Sequence, residues 1–306
     1  MNTLLNKLEN NIIDYDTIKK DNIFIIQEQK ELFDINFLIT ARGRFKFSEP
    51  MYKSFKAAKE NSDLKITYTL IEHSNTPEHS KFCKNNKINY IWVSSNKKQF
   101  NKCMCYNLGV LFGQKSKYYL FHDIDILVQS DFFVKLKQNI INNNKCKALQ
   151  CFTNRRVLYC NENITKDILE NKVHPDDLSL ENDNVSLPML GGKVMLGAPG
   201  GSILVERDLF FKVGGYDPEF FVGYSPEDAF FWDKLSLYSN IYLSNNPEIE
   251  IFHMYHPPSY HNSPNLRERE FLYEDFKKLS KKDKEELINK KRKLIEKYKN
   301  YGNKKK

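Results

Sequence analysis

The chain has 306 residues, of which 41% are hydrophobic and 13% aromatic. It can therefore bury a large core, and it is too apolar to be a disordered chain. The net charge of +8 (47 basic minus 39 acidic residues) comes largely from residues 277–306, without an arginine-rich recognition stripe. We therefore expect no specific nucleic-acid partner, although the basic C-terminus could contact an acidic membrane surface.

The cysteines and the apolar runs indicate a reducing, cytoplasmic setting. No Cys-x-x-Cys pair or zinc spacing occurs, so free thiols are expected. No apolar run approaches the ~20 residues of a membrane helix, and residues 1–9 do not resemble a signal peptide. The cysteines are Cys83, Cys103, Cys105, Cys146, Cys151 and Cys160.

The first half of the chain alternates strand patterns with helix patterns. Residues 1–33 predict a peripheral helix and a short strand over 23–26. Apolar runs then predict strands over 35–41, 64–71, 88–93 and 118–121. Helices are predicted between them, over 48–59, 77–85 and 100–112. This alternation predicts an α/β fold with parallel strands.

Shorter elements follow residue 130. Helices are predicted over 131–142, 207–213 and 227–238, and strands over 147–152, 157–160, 241–243 and 248–252. Two charged helices, 265–279 and 281–299, close the chain, and Ser280 with Asp283 offers a capping box for the second. We expect a peripheral segment (1–33), a central domain (34–265) and basic C-terminal helices (266–306).

Two acids follow the strand over 118–121. Asp123 and Asp125 are set within an apolar run, where an unpaired carboxylate is costly. Alternate residues of extended chain point the same way, so both acids can face the crevice beyond the strand. Their oxygens suit Mg²⁺ or Mn²⁺ carrying a phosphate. Taken alone, the pair is explained as well by an ordinary surface turn.

Two arginines follow the first strand of the central domain. Arg42 and Arg44 flank Gly43 where the strand over 35–41 ends. A guanidinium group pairs with two oxygens at once and suits a phosphate or a nucleobase. A solvated basic turn explains the local pattern equally well.

Glu227 and Asp228 begin a predicted helix after the aromatic segment 220–224. Favourable charge at the helix N-terminus explains the pair without function. Aromatic faces beside a carboxylate are also typical of a sugar site, where Asp228 could act as general base.

Two histidines at His-x-x-His spacing, His253 and His256, follow a predicted strand, and His261 lies further on. Neutral imidazoles could complete a shell begun by Asp125, and a mixed Asp/His shell favours Mn²⁺ over Mg²⁺. A zinc site is the alternative, but no His-Glu-x-x-His arrangement supports it.

In this order the motifs resemble those of the metal-dependent GT-A glycosyltransferases of the β-1,4-galactosyltransferase type, with the related chondroitin-type and polypeptide N-acetylgalactosaminyl enzymes. The resemblance covers residues 35–265. It implies a Rossmann-like, mostly parallel sheet flanked by helices, with a catalytic domain over 34–265. Its motifs are Arg-x-Arg, Phe100-Asn101-Lys102 with Asn107-Leu-Gly109, Asp-x-Asp, Gly-Gly, aromatic-Gly-aromatic with Glu-Asp, and His-x-x-His.

The resemblance assigns the donor side of the site. Arg42 and Arg44 would contact the nucleotide of a UDP-sugar, and Asp123 would contact the ribose or the metal. The ligands of Mn²⁺, or of Mg²⁺ in its place, would be Asp125, His253 and His256.

The resemblance also assigns the sugar side. Gly200 and Gly201 would let the backbone approach the donor sugar. Tyr224 would stand where the family has a mobile tryptophan, Glu227 would bind sugar hydroxyls, and Asp228 would deprotonate the acceptor.

This sequence departs from the family at two places. Ser225-Pro226 replaces a pair of glycines, which would stiffen loop closure. Ala198 stands where galactose-specific members carry a bulky aromatic residue, so an N-acetyl group would fit.

The implied activity is inverting transfer of a hexose or N-acetylhexosamine to a hydroxyl of a glycan, glycolipid or glycoprotein. One alternative is a metal-dependent phosphoesterase or hydrolase, which normally needs more clustered acids than this chain offers. Another is a non-catalytic carbohydrate-binding protein of the same fold. The enzyme hypothesis requires Asp125, His253 and His256 to converge on one ion.

Overall fold

A computed structural model of the chain describes residues 2–29, 31–97, 99–143, 146–152, 157–181, 183–187, 189–190, 193–194, 200–257 and 265–299. The helices are α1 (Asn2–Asn10), α2 (Tyr15–Asp21), α3 (Ser48–Glu60), α4 (Ser80–Asn85), α5 (Lys102–Phe112), α6 (Phe132–Asn142), α7 (Glu162–Leu169), α8 (Arg207–Lys212), α9 (Glu227–Ser236), α10 (Leu266–Lys278) and α11 (Lys281–Glu296). The strands are β1 (Ile23–Ile25), β2 (Phe33–Ala41), β3 (Ile66–Ser74), β4 (Asn89–Ser94), β5 (Ser116–Asp123), β6 (Ile126–Val128), β7 (Ala148–Gln150), β8 (Leu158–Cys160), β9 (Val185–Ser186), β10 (Met189–Leu190), β11 (Lys193–Val194), β12 (Ser202–Glu206), β13 (Ile241–Leu243) and β14 (Ile251–His253).

The main sheet has eight strands in the order β1-β4-β3-β2-β5-β12-β7-β13. Strands β4, β3, β2 and β5 are mutually parallel, as the alternation of strands and helices predicts. Strand β12 is antiparallel to both of its neighbours, and β1 is antiparallel to β4 at the edge. The predicted α/β class with a mostly parallel sheet is therefore confirmed.

Alternating side chains of the central strands fill two cores, one on each face of the sheet. Phe37 and Ile39 of β2 belong to the core that contains Phe55 of α3. Leu38, between them, belongs to the opposite core with Leu108 of α5. Because successive residues of a strand face opposite sides, the central strands are buried on both faces.

A smaller four-stranded sheet, in the order β6-β14-β8-β9, stands beside the carboxyl end of β5. The chain enters it through a tight turn at residues 124–125, which leads from β5 into β6. Strand β14 pairs antiparallel with β6, and His253 lies opposite Ile126. The sheet therefore brings the end of β14 to the turn after β5.

Both ends of the chain pack on the central domain. Leu4 of α1 and Ile295 of α11 belong to the same buried cluster as α5. The side chain of Ser280 accepts a hydrogen bond from the Asp283 amide, so Ser280 caps α11 as predicted, whereas the Asp283 carboxylate accepts from the Ser280 hydroxyl and not from the backbone amide of a capping box. The division at residues 33 and 265 stays a prediction.

All six cysteines are free and buried, as expected for free thiols. Within the described ranges, every helix is too short or too polar to cross a lipid bilayer.

Candidate active site

Three side chains predicted to share a metal ion lie together. Asp125, His253 and His256 offer ligand atoms that all fall within 4.8 Å of one another. The Nε2 atom of His256 lies 3.1 Å from Asp125 Oδ2, and that of His253 lies 3.9 Å from it. The pairing of β14 with β6 causes this convergence, since the Met254 amide donates to the Asp125 carbonyl at 2.8 Å.

Asp125 reaches this position by a route that differs from the predicted one. Strand β5 ends at Asp123, and Asp125 lies in the following turn instead of in extended chain. The turn separates the contacts of the two acids. Asp125 contacts the histidines, whereas Asp123 contacts Lys102.

The protonation of the histidines suits a metal ion. Nδ1 of His256 lies 2.9 Å from the carbonyl oxygen of Pro257, which can only accept, so this nitrogen carries the proton. Nε2 then turns its lone pair toward Asp125 Oδ2, and two acceptors at that distance need a proton or a cation between them. Burial lowers the pKa of His256, and it lowers the pKa of His253 to about 4, so the rings favour the neutral state of a ligand.

Further features of the donor set fit a divalent cation. Asp125 is only 1% exposed, and a buried carboxylate needs compensating positive charge, to which Arg44 contributes. Nδ1 of His253 is buried and has no hydrogen-bond partner among the described residues. The ring of His253 stacks on that of Tyr159, with centroids 4.7 Å apart. One carboxylate and two imidazoles therefore form a set that suits Mn²⁺ better than Mg²⁺.

Arg44 supplies a positive charge to the same carboxylate. Its Nη1 donates to Asp125 Oδ2. Gly43 and Arg44 both adopt left-handed backbone conformations, with φ of 61° and 58°, and the chain turns sharply after β2. The non-glycine residue in this strained region is one of the two predicted site arginines. Its contact with a nucleotide stays a prediction.

A second cluster joins three acids through one lysine. The Nζ atom of Lys102 lies 3.0 Å from Asp123 Oδ1, 3.0 Å from Asp228 Oδ2 and 3.5 Å from Glu227 Oε1. Burial opposes the charge of Lys102, but the carboxylates of Asp123 and Asp228 raise its pKa well above the usual value. The sequence patterns include Lys102 in a motif without assigning it a role.

The hydroxyl groups of two tyrosines also contact this cluster. The hydroxyl of Tyr106 donates to Asp123, and that of Tyr216 donates to Asp228, both at 3.3 Å. Burial and the adjacent Asp228 carboxylate raise the pKa of Glu227 to about 7, against the charge of Lys102. The cluster therefore holds Asp228 by hydrogen bonds on both oxygens, next to a carboxyl group that ionises near neutral pH.

The two predicted glycines lie against these acids. A Cβ atom on Gly200 would lie 3.0 Å from Asp228 Cγ, so a side chain there would overlap the carboxylate. Gly201 has a left-handed φ of 85°, and its carbonyl accepts from the Asp123 amide at 3.1 Å. The Gly200 backbone can therefore approach the acid cluster because glycine has no side chain. Its approach to a donor sugar stays a prediction.

Arg42 lies apart from both clusters. Its Nη1 donates to the carbonyl oxygen of His73 at 3.2 Å, and its Nη2 donates to that of Lys97. His73 accepts from the Asn101 amide at 3.3 Å, and its ring stacks on Phe100 with centroids 6.1 Å apart. These residues contact one another at the carboxyl ends of β2, β3 and β4.

His73 and Phe100 are site residues to which no role was assigned from the sequence. Strand β3 is predicted to end at 71, but it extends through Ser74, so His73 lies within the strand end. A polar residue at the carboxyl end of a parallel strand is the signal that could have identified it.

Tyr224 lies at the surface of the loop before α9 and is 58% exposed. Arg269 of α10 donates through Nε to the Tyr224 carbonyl at 3.2 Å, so a C-terminal helix contacts this loop. The side chain of Ser225 donates to Glu227 at 2.9 Å. Ala198 and His261 lie outside the described residues.

Comparisons with known proteins identify the fold. TarS of S. aureus is similar over 83% of this chain and 69% of its own, with a TM-score of 0.50 and 11% identity. GalNAc-T7, in complex with UDP, GalNAc and Mn²⁺, is similar with a TM-score of 0.51 and 12% identity. That match covers 88% of this chain and 55% of the GalNAc-T7 chain. Drosophila β1,4-galactosyltransferase 7 with xylobiose has a TM-score of 0.47 and 14% identity, over 78% of this chain and 79% of its own.

The fold is that of the GT-A glycosyltransferases. The model of the family described as "Glycosyltransferase like family 2" matches residues 58–253, and the chain belongs to this family. A search of curated protein sequences finds no match. The predicted resemblance to GT-A glycosyltransferases is therefore confirmed, and family membership supports glycosyltransferase activity.

Proposed function

We propose that this protein is an inverting glycosyltransferase that moves a hexose or N-acetylhexosamine from a UDP-sugar to a hydroxyl group. The acceptor would be a glycan, a glycolipid or a glycoprotein. Asp125, His253 and His256 would hold Mn²⁺, and Asp228 would be the general base.

One observation carries the proposal, namely the convergence of Asp125 with His253 and His256, which lie far apart from it in the sequence. UDP and Mn²⁺ are bound by GalNAc-T7, a protein with this fold. The described residues contain one such group of three metal-binding side chains, whereas a two-metal hydrolase needs a second. This favours a transferase over a phosphoesterase.

The charges of the site suit a nucleoside diphosphate. Arg44 and Lys46 are close enough to lower the pKa of His256, and Arg42 and Lys97 likewise lower that of His73 after the larger effect of burial. Cationic side chains therefore lie near both His73 and His256. We assign the nucleobase to the residues around His73 and the diphosphate to these cations.

The reaction would be a single displacement. A bound Mn²⁺ supplies positive charge that stabilises a diphosphate leaving group. Asp228 accepts the proton of the acceptor hydroxyl while the oxygen forms a bond to the anomeric carbon. The bond from that carbon to the diphosphate breaks, and the electron pair leaves with UDP. Attack from the opposite face inverts the configuration.

The test is a panel of UDP-sugars incubated with the full chain, with and without Mn²⁺, and assayed for UDP release. We expect Mn²⁺-dependent consumption of at least one donor. Asp228→Asn should lower kcat by about 10²–10⁴-fold and retain UDP binding. Asp233→Asn is the matched control, since Asp233 lies on the same helix and accepts from Tyr273 at 2.9 Å, away from the acid cluster. If no UDP-sugar binds or is consumed, the transferase proposal is wrong.

A further inference from the structure

Lys102 is held at the N-terminus of α5 by its surroundings. The preceding residue, Asn101, caps the helix by accepting from the Met104 amide at 2.9 Å. The Lys102 ammonium lies 5.7 Å from the centre of the Tyr106 ring, and the side chain is only 16% exposed. A lysine fixed at its backbone and largely shielded from water has a defined position for its charge.

Among the described residues, the Lys102 ammonium group is the cation that contacts all three acids of this cluster. It bridges Asp123 at the end of β5 and Asp228 at the start of α9, both at 3.0 Å, and reaches Glu227 at 3.5 Å. We propose that Lys102 is a positioning residue that places a positive charge against the Asp228 carboxylate and holds it in place beside Gly200. This inference rests on the proposed function in one respect, the role of Asp228 as general base.

Removal of the ammonium would leave the acids facing one another. Like charges at such distances disfavour ionisation, and Glu227 already titrates near neutral pH beside Lys102, so loss of the ammonium would favour protonation of a further carboxyl group. The groups around Asp228 come from four elements and the turn before α9. They are Lys102, Cys103 and Tyr106 of α5, Asp123 of β5, Tyr216 of the turn, Glu227 of α9 and, beyond Glu227, Arg269 of α10.

The alternatives differ in what they predict for Lys102→Met. A lysine that only contacts the donor would raise the KM for the UDP-sugar and leave the pH profile unchanged. A lysine that only stabilises the fold would lower the Tm without moving the titration of Asp228. A positioning lysine moves the acidic limb of kcat/KM to higher pH.

We expect the acidic limb to rise by about one pH unit or more in Lys102→Met, which is about a tenfold or greater loss of kcat/KM at a pH on that limb. Lys102→Arg, which retains the charge, should restore most of the profile. Lys147→Met is the matched control. Lys147 pairs with Glu206 at 3.3 Å, at the opposite end of β12 from Gly201.

A second measurement is independent of turnover. The Asp228 carboxyl carbon is titrated by ¹³C NMR in the wild type and in Lys102→Met, with Asp228→Asn to assign the signal. Should Lys102→Met not fold, Lys102→Gln is titrated instead. An unchanged Asp228 titration would overturn the inference, whatever the transfer assay gives. A shifted titration in a protein that consumes no UDP-sugar would support the positioning role and refute the proposed function.

Discussion

Gly200→Ala is a substitution that adds one methyl group beside the proposed general base. The new Cβ would lie 3.0 Å from Asp228 Cγ and 3.2 Å from Asp228 Cβ. Carbon atoms in contact prefer about 3.5–4.0 Å, so the carboxylate must move by roughly 0.5–1 Å. Such a movement lengthens the 3.0 Å contact between Asp228 and Lys102. A misplacement of about 1 Å can cost about 100-fold in rate, which corresponds to roughly 2.7 kcal/mol.

The assay compares kcat/KM for UDP-sugar consumption, UDP affinity by calorimetry, and unfolding in denaturant. We expect kcat/KM to fall about 100-fold while UDP affinity and folding are kept. Gly109→Ala is the matched control, because its Cβ would meet the flexible tips of Ile71 and Leu38 at 2.9 and 3.0 Å, away from the acids. It should lower stability and leave kcat/KM unchanged. A folded Gly200→Ala protein with wild-type kcat/KM would refute the reasoning that the position of Asp228 limits the reaction.

Three further predictions concern the metal, pH and the buried ion pair of the C-terminal helix α11. His256→Ala should weaken Mn²⁺ binding at least about 100-fold by calorimetry, since even changes around metal ligands cost about 10–100-fold, whereas His174→Ala should not; equal affinities would remove His256 from the ligand set. Because the pKa of Glu227 is raised from 4.5 to about 7, the folded protein keeps a proton that the unfolded chain releases, and its stability falls as pH rises through that window. Above pH 7, Glu227→Gln should therefore have a free energy of unfolding higher than that of the wild type by on the order of 3 kcal/mol, measured in denaturant, with no such gain below pH 4.5. A difference in the free energy of unfolding that does not depend on pH would contradict the raised pKa of Glu227. Lys291→Met should destabilise the protein by about 3–5 kcal/mol in urea unfolding, because it leaves the buried Glu219 carboxylate without its ammonium partner, and adding Glu219→Gln should recover most of the loss; no recovery would mean that the pair is not coupled.

The sequence by itself determined the elements and the residue types of the candidate site. Strand and helix patterns are local, because side-chain alternation and helical spacing depend on near neighbours. The central strands and the Ser280 cap of α11 were therefore predictable, with errors of a few residues at the ends. His73 lies at such an end, where the sequence places it directly after the predicted strand without giving it a role.

The tertiary structure alone decided which of these residues meet. Asp125 reaches His253 because β14 pairs with β6 in one register, and that pairing joins residues that no local pattern relates. The role of Lys102 was hidden for the same reason, since its two close partners, Asp123 and Asp228, come from a strand and from a distant helix. Short-range preferences establish the elements and the chemistry they carry, whereas long-range pairing and packing determine which charges share a buried space and so which pKa values change.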